Sequence, residues 1–162
     1  MYWPDLAREY LSDLDERFQE RYGRPAPWYR LLDDDEIEDI AWQISSRLGS
    51  PARRLKTALQ LVCDRLPLSD RDAVYMGWTE PLSAAAPRCG FQRTEFVLYL
   101  RDSLREVQEN PVAVAEIALA DMIQFEQTLW HDDAFLIDTD CRWIAWGPHD
   151  HNCQFLRLRD QS

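Results

Sequence analysis

An α+β fold is predicted, with N-terminal helices packed on a C-terminal antiparallel sheet or meander. Two observations predict it. Over the first 66 residues, apolar side chains recur at helical spacing in three separate stripes. From residue 73 the pattern changes to short aromatic and β-branched runs bounded by turn residues. Helices followed by strands define the α+β class, and a single packed face of the sheet is expected to meet the helices. The 162 residues fit one domain, 1–162, with a helical part at 1–66 and a strand-rich part at 73–159.

The first helix follows from Trp3, Leu6, Tyr10, Leu14, Phe18 and Tyr22, with Pro4 near its start and Gly23 at its end. Arg24-Pro25-Ala26-Pro27 is a stiff connector. Trp28, Tyr29, Leu31 and Leu32 form a short apolar patch expected to dock on the core. The acidic run Asp33-Asp34-Asp35-Glu36 opens a second helix, where carboxylates cap free N–H groups and oppose the positive dipole end. Its buried stripe is Ile37, Ile40, Ala41, Ile44 and Leu48, and Gly49 is the natural residue after its end. Ser50-Pro51 is read as the start of a third helix carrying Leu55, Leu59, Val62 and Leu66, stopped by Pro67. Leu14, Phe18, Ile40, Ile44, Leu59 and Val62 are expected to share one core with the sheet.

Ala73–Trp78 is predicted as a strand and Pro81–Gly90 as a loop. Phe96–Leu100 suits a central strand or a helix built on Phe96, Leu100, Leu104 and Val107; its length and aromatic content favour the strand. A short helix near Asp102–Glu109 follows. Asn110-Pro111 looks like a helix start, and the Ala-rich Val112–Leu119 is predicted to begin a helix running to about Leu129. Phe135–Ile137, a turn at Asp138–Asp140, Cys141–Trp146, a turn at Gly147–Asn152 and Cys153–Leu158 predict a closing three-stranded meander.

Lys and Arg number 18 against 29 Asp and Glu, a net charge of −11. Nucleic-acid binding and attachment to anionic membranes are disfavoured, since both normally need a basic face. No run approaches the roughly 18 apolar residues of a spanning helix. Met1-Tyr2-Trp3-Pro4-Asp5 has neither the basic region nor the apolar stretch of a secretory signal, so a cytoplasmic location is expected. Cys63, Cys89, Cys141 and Cys153 show no C-x-x-C spacing and are expected to be reduced.

Catalytic chemistry has few carriers. His149, Asp150, His151 and Cys153 are the densest group of metal-ligand types, with His131-Asp132-Asp133 a second. Adjacent strand residues face opposite ways, so a polar hairpin turn explains the histidines better than a metal. Cys141 or Cys153 as a nucleophile lacks any flanking signature. The five glycines form no phosphate-binding loop. Glu36, Glu38 and Asp39 read as a solvated helix start rather than an acid–base pair. No catalytic residue, metal or cofactor is assigned.

The segment Trp130–Gly147, with Asp133-Ala134-Phe135-Leu136-Ile137-Asp138 followed by Arg142-Trp143, resembles the C-terminal hairpin of bacterial polymorphic-toxin immunity proteins. The resemblance covers about a tenth of the chain. It implies a non-enzymatic cytoplasmic protein that binds and neutralises one cognate toxin, and it transfers no binding residue. The acidity independently suggests steering toward a basic partner. Partner contacts are expected at Asp33, Asp34, Asp35, Glu36 and Asp39, with no neighbouring cation before Arg47, and then at Asp132 and Asp133. Two rivals stand beside this expectation. One is a small metal-dependent or hydrolytic enzyme using His131, His149 and His151. The other is a phage-encoded acidic inhibitor or nucleic-acid mimic.

Overall fold

The computed structural model describes residues 3–65, 82–88, 94–101, 114–129, 134–147 and 154–158. Among the described residues the elements run α1 (Trp3–Tyr22), β1 (Trp28–Leu31), α2 (Asp34–Arg47), α3 (Leu55–Arg65), α4 (Leu82–Arg88), β2 (Phe96–Arg101), β3 (Ala115–Ala118), α5 (Leu119–Gln124), α6 (Glu126–Leu129), β4 (Ala134–Asp138), β5 (Trp143–Gly147) and β6 (Gln154–Arg157). The strands form one sheet in the order β1-β3-β2-β4-β5-β6, antiparallel throughout. The α+β class and the closing meander of β4, β5 and β6 are as the sequence predicts.

The helices cover both faces of the sheet, not one. Alternate strand residues point to opposite sides. Val97, Tyr99, Leu136 and Ala145 pack with Leu14 and Phe18 of α1, Leu82 of α4, Met122 of α5 and Leu129 of α6. Leu98, Leu100, Phe135, Ile137 and Ile144 pack with Ile40 and Ile44 of α2 and Leu59 and Val62 of α3. The expected single core is therefore two cores on either side of the sheet. All five β4 residues are buried, which explains its unbroken apolar run.

Local chemistry sets the helix ends. Gly23 (φ 70°) closes α1, its N–H bonded to the Gln19 carbonyl at 3.0 Å. Asp33 caps α2 through the Glu36 N–H at 2.8 Å, and the Glu36 carboxylate returns to the Asp33 N–H at 3.2 Å. The chain leaves α2 through Gly49 (φ 83°). Here the reading of Ser50-Pro51 as a helix start is corrected, because α3 begins at Leu55. The buried Ser45 hydroxyl accepts the Ala52 N–H at 2.7 Å and lies 2.7 Å from the Ala41 carbonyl. This bond holds the connector in a turn, so the helix starts only beyond it.

Three other expectations change. The apolar patch at 28–32 contributes an edge strand, β1, paired with β3. The loop expected over 81–90 contains α4, whose Leu82 N–H is taken by the Glu126 carboxylate at 2.7 Å. The helix expected from Val112 onward is strand β3 at Ala115–Ala118, lying between β1 and β2. Its alternating burial satisfies both neighbours, and tertiary pairing overrides the helix preference of alanine. Helix begins only at Leu119, whose N–H bonds the Glu95 carbonyl at 2.9 Å, and it divides at Phe125.

The hairpin turn also shifts, since β4 extends to Asp138 and β5 starts at Trp143. Asp138 is fully buried; its carboxylate accepts from Arg142 N at 3.1 Å, Nε at 2.6 Å and Nη2 at 3.1 Å. Cys141 adopts φ 55° in that turn, and Arg47 of α2 donates to the Asp140 and Cys141 carbonyls. The expected strand at 73–78, the helix at 102–109, Asn110-Pro111 and the turn at 148–152 lie outside the described residues.

Candidate functional site: an acidic groove between α2 and the sheet edge

At β1, two residues of one strand oppose one of its partner. Trp28 pairs with Ile117 and Arg30 with Glu116, so Tyr29 is the extra residue of a β-bulge. Arg30 is thereby set on the α2 side of the sheet. Its guanidinium grips the Glu36 carboxylate at 2.6 and 2.8 Å and donates to Glu116 at 2.6 Å. One cation thus ties β1, β3 and α2 together.

Beside this triad lies an open groove of about 410 Å³. Leu32, Ile40 and Leu98 supply its apolar lining, and Asp35, Glu36 and Asp39 its acidic wall. Glu116 and Arg30 also line it. Arg30 is shared by Glu36 and Glu116, so Asp35 and Asp39 have no cationic partner among the described residues. Asp39 accepts from the Gln43 amide at 2.6 Å. Asp35 and Asp39 stand four apart on one helix, a like-charge pair that costs the isolated helix about 0.2–0.5 kcal/mol. The groove thus combines an acidic wall with an apolar floor.

The expected partner residues divide accordingly. Asp35, Glu36 and Asp39 line the groove, Asp33 is engaged as the helix cap, and Asp34 is exposed on the first turn. Glu36 is not a free steering charge: no Lys or Arg follows it before Arg47, but Arg30 on the N-terminal side is aimed back at it by the bulge. Asp132, Asp133, His131, His149, His151, Cys89 and Cys153 lie outside the described residues. The sequence reading missed Arg30 and Glu116. Arg30, six positions before Glu36, had a local signal; Glu116 had none once its segment was read as helix.

Arg30 holds the Glu36 carboxyl down at about 2, its hydrogen bonds outweighing the Asp33 N–H bond that adds to them. A carboxylate whose folded value lies below its unfolded one stabilises the fold above the unfolded value, and the contribution is lost as pH falls toward the folded one. The window here runs from about 4.5 down to about 2. Carbon-detected NMR titration is expected to place the Glu36 midpoint near 2, and Arg30→Ala should return it toward the ordinary carboxylate range. An unmoved midpoint in that variant would show that the triad does not form in solution.

Cys141, weighed as a nucleophile from the sequence, is fully buried in the β4–β5 turn. Burial pushes its thiol up to about 12, and it is the thiolate that reacts. Among the described residues no group of three His, Cys, Asp or Glu is placed to hold a metal. No helix among them is long and apolar enough to cross a membrane.

The fold and groove define an acidic α+β protein whose sheet carries helices on both faces and an acidic cleft beside α2. Comparison with protein-family models, curated proteins and solved structures gave no match.

Proposed function

We propose that this protein is an immunity-type inhibitor of the cytoplasm, which binds a basic protein toxin and blocks its active site. The observation that carries the reading is the groove. Asp35 and Asp39 line the groove without a cationic partner among the described residues, over an apolar lining, in a chain of net charge −11. Exposed carboxylates steer a basic partner over nanometre distances, and buried apolar contacts then hold it.

The reading expects a toxin gene directly beside this one, and the test is co-expression with that gene's product. Growth should be restored, and the purified pair should form a stable complex. Association should slow as salt rises, because exposed charges are screened beyond about 8 Å at physiological ionic strength, while dissociation changes less. Asp35→Asn with Asp39→Asn should cut the on-rate about tenfold at low salt and flatten its salt dependence, within the range of electrostatic steering. Glu36→Gln should do less to the on-rate, its charge being already engaged by Arg30. Failure to neutralise any adjoining toxin, or stoichiometric zinc in the purified protein, would overturn the reading in favour of the enzymatic rival.

A further inference from the structure

We propose that the outer edge of β1 receives an extended, arginine- or lysine-bearing segment of the protein partner, laid along the sheet beside the acidic groove. This rests on the inhibitor reading and names the surface and the recognition chemistry.

β1 is the terminal strand of the sheet. Sheet edges are guarded by lysine, proline, an inward-pointing charge, a bulge or short length, and β1 is four residues long and bulged at Tyr29. The β1 sequence, Trp-Tyr-Arg-Leu, holds neither lysine nor proline. Its one charge, Arg30, is half-exposed but engaged by Glu36 and Glu116. What remains outward is apolar: Tyr29 is 65% exposed and Leu31 45%, two of the most exposed large apolar side chains among the described residues.

Among the described residues, none pairs with the backbone on this outer side. The Leu32 N–H bonds the Val114 carbonyl at 2.9 Å, so Leu32 turns its polar groups toward β3. Antiparallel strands alternate, and the Leu31 N–H and C=O therefore point away from the sheet. An added extended segment would find one main-chain donor and acceptor there, with Leu31 to cover.

Charge selects the occupant. Leu31 pairs with Ala115, which faces the α1 core, while Arg30 and Glu116 face α2. Alternate side chains of an added segment would project to the same two sides. Those on the α2 side meet the Arg30–Glu36–Glu116 cluster, one cation against two carboxylates, and the carboxylates of the α2 start beyond it; those opposite meet Leu31. A segment alternating basic and apolar residues satisfies both. A second copy of this chain, at net charge −11, would bring like charge to the same edge.

The probe is an eight-residue peptide alternating arginine and valine, titrated into the labelled full chain and followed by amide NMR. Shifts should concentrate at residues 28–36, and the same peptide with glutamate for arginine should give none. Leu31→Lys places a guard charge on an exposed position. It should weaken binding at least tenfold while leaving the circular dichroism spectrum and thermal midpoint unchanged. Shifts centred elsewhere, no binding at millimolar peptide, or equal binding by Leu31→Lys would overturn the proposal. So would a wild-type dimer that Leu31→Lys dissociates. Protection of cells against the adjoining toxin separates the two readings. If wild type and Leu31→Lys protect equally, the edge is wrong and the inhibitor reading stands. If wild type protects against nothing and the peptide still docks at β1, the inhibitor reading fails and the edge stands.

Discussion

Phe18→Ala is expected to destabilise the protein by about 3–5 kcal/mol and Leu59→Ala by about 2–5 kcal/mol, with the two effects adding. Both side chains are fully buried, so each truncation removes apolar contact and leaves a cavity. They sit on opposite sides of the sheet, Phe18 against Phe125 and the α1 core, Leu59 in the α2–α3 core. Distant residues without shared partners add within about 0.5 kcal/mol. Urea unfolding followed by tryptophan fluorescence measures each variant and the pair. Should the double variant retain too little stability, Ile44→Val replaces Leu59→Ala, with a smaller cost of about 0.5–1.5 kcal/mol and the same additivity. A coupling above about 1 kcal/mol would show the one continuous core that the amphipathic stripes alone suggested.

That two-core arrangement marks where sequence reading stops. A stripe on a helix shows that one face is buried, and it carries no information about which face of a sheet receives it. Local signals read well. The Asp33–Glu36 box, the Ile40–Ile44 stripe and Gly49 placed α2 almost to the residue, because all the interactions that bound it lie within a few positions. β2 was legible from five consecutive apolar residues. β3 was not. Ala115–Ala118 has the composition of a helix, and only its neighbours β1 and β2 make it a strand. The Arg30–Glu116 contact spans 86 positions, a pairing that no local window contains. The same division runs through the groove. Its α2 wall was legible as an acidic helix start, whereas the β1–β3 side required the sheet. Acidity alone did not distinguish Glu36, which is engaged, from Asp35 and Asp39, which have no cationic partner among the described residues.

Arg142→Ala is expected to cost about 3 kcal/mol, the lower end of the range for breaking a buried ion pair. Asp138 closes β4 with its side chain wholly buried, while Arg142 is 43% exposed. The two partners are therefore not equivalent. Removing the guanidinium strands a carboxylate in the interior, with the Arg142 backbone N–H at 3.1 Å and the Thr94 hydroxyl at 3.5 Å as its named remaining partners. Removing the carboxylate's charge instead leaves a guanidinium that water already reaches. Asp138→Asn keeps the shape and should cost less, about 1–2 kcal/mol for weakened hydrogen bonds. The turn they hold positions more than itself, since Arg47 of α2 reaches the Asp140 and Cys141 carbonyls there. Thr139 of this turn lines the groove opposite the helix that carries Asp35 and Asp39. Loss of Arg142 should thus loosen the β4–β5 turn and the seating of α2 together, visible as faster amide exchange at 138–143 and around Arg47. If Asp138→Asn proved the more damaging of the two, the stabilisation would reside in the carboxylate's bonds to the turn backbone. The guanidinium would then be an accessory.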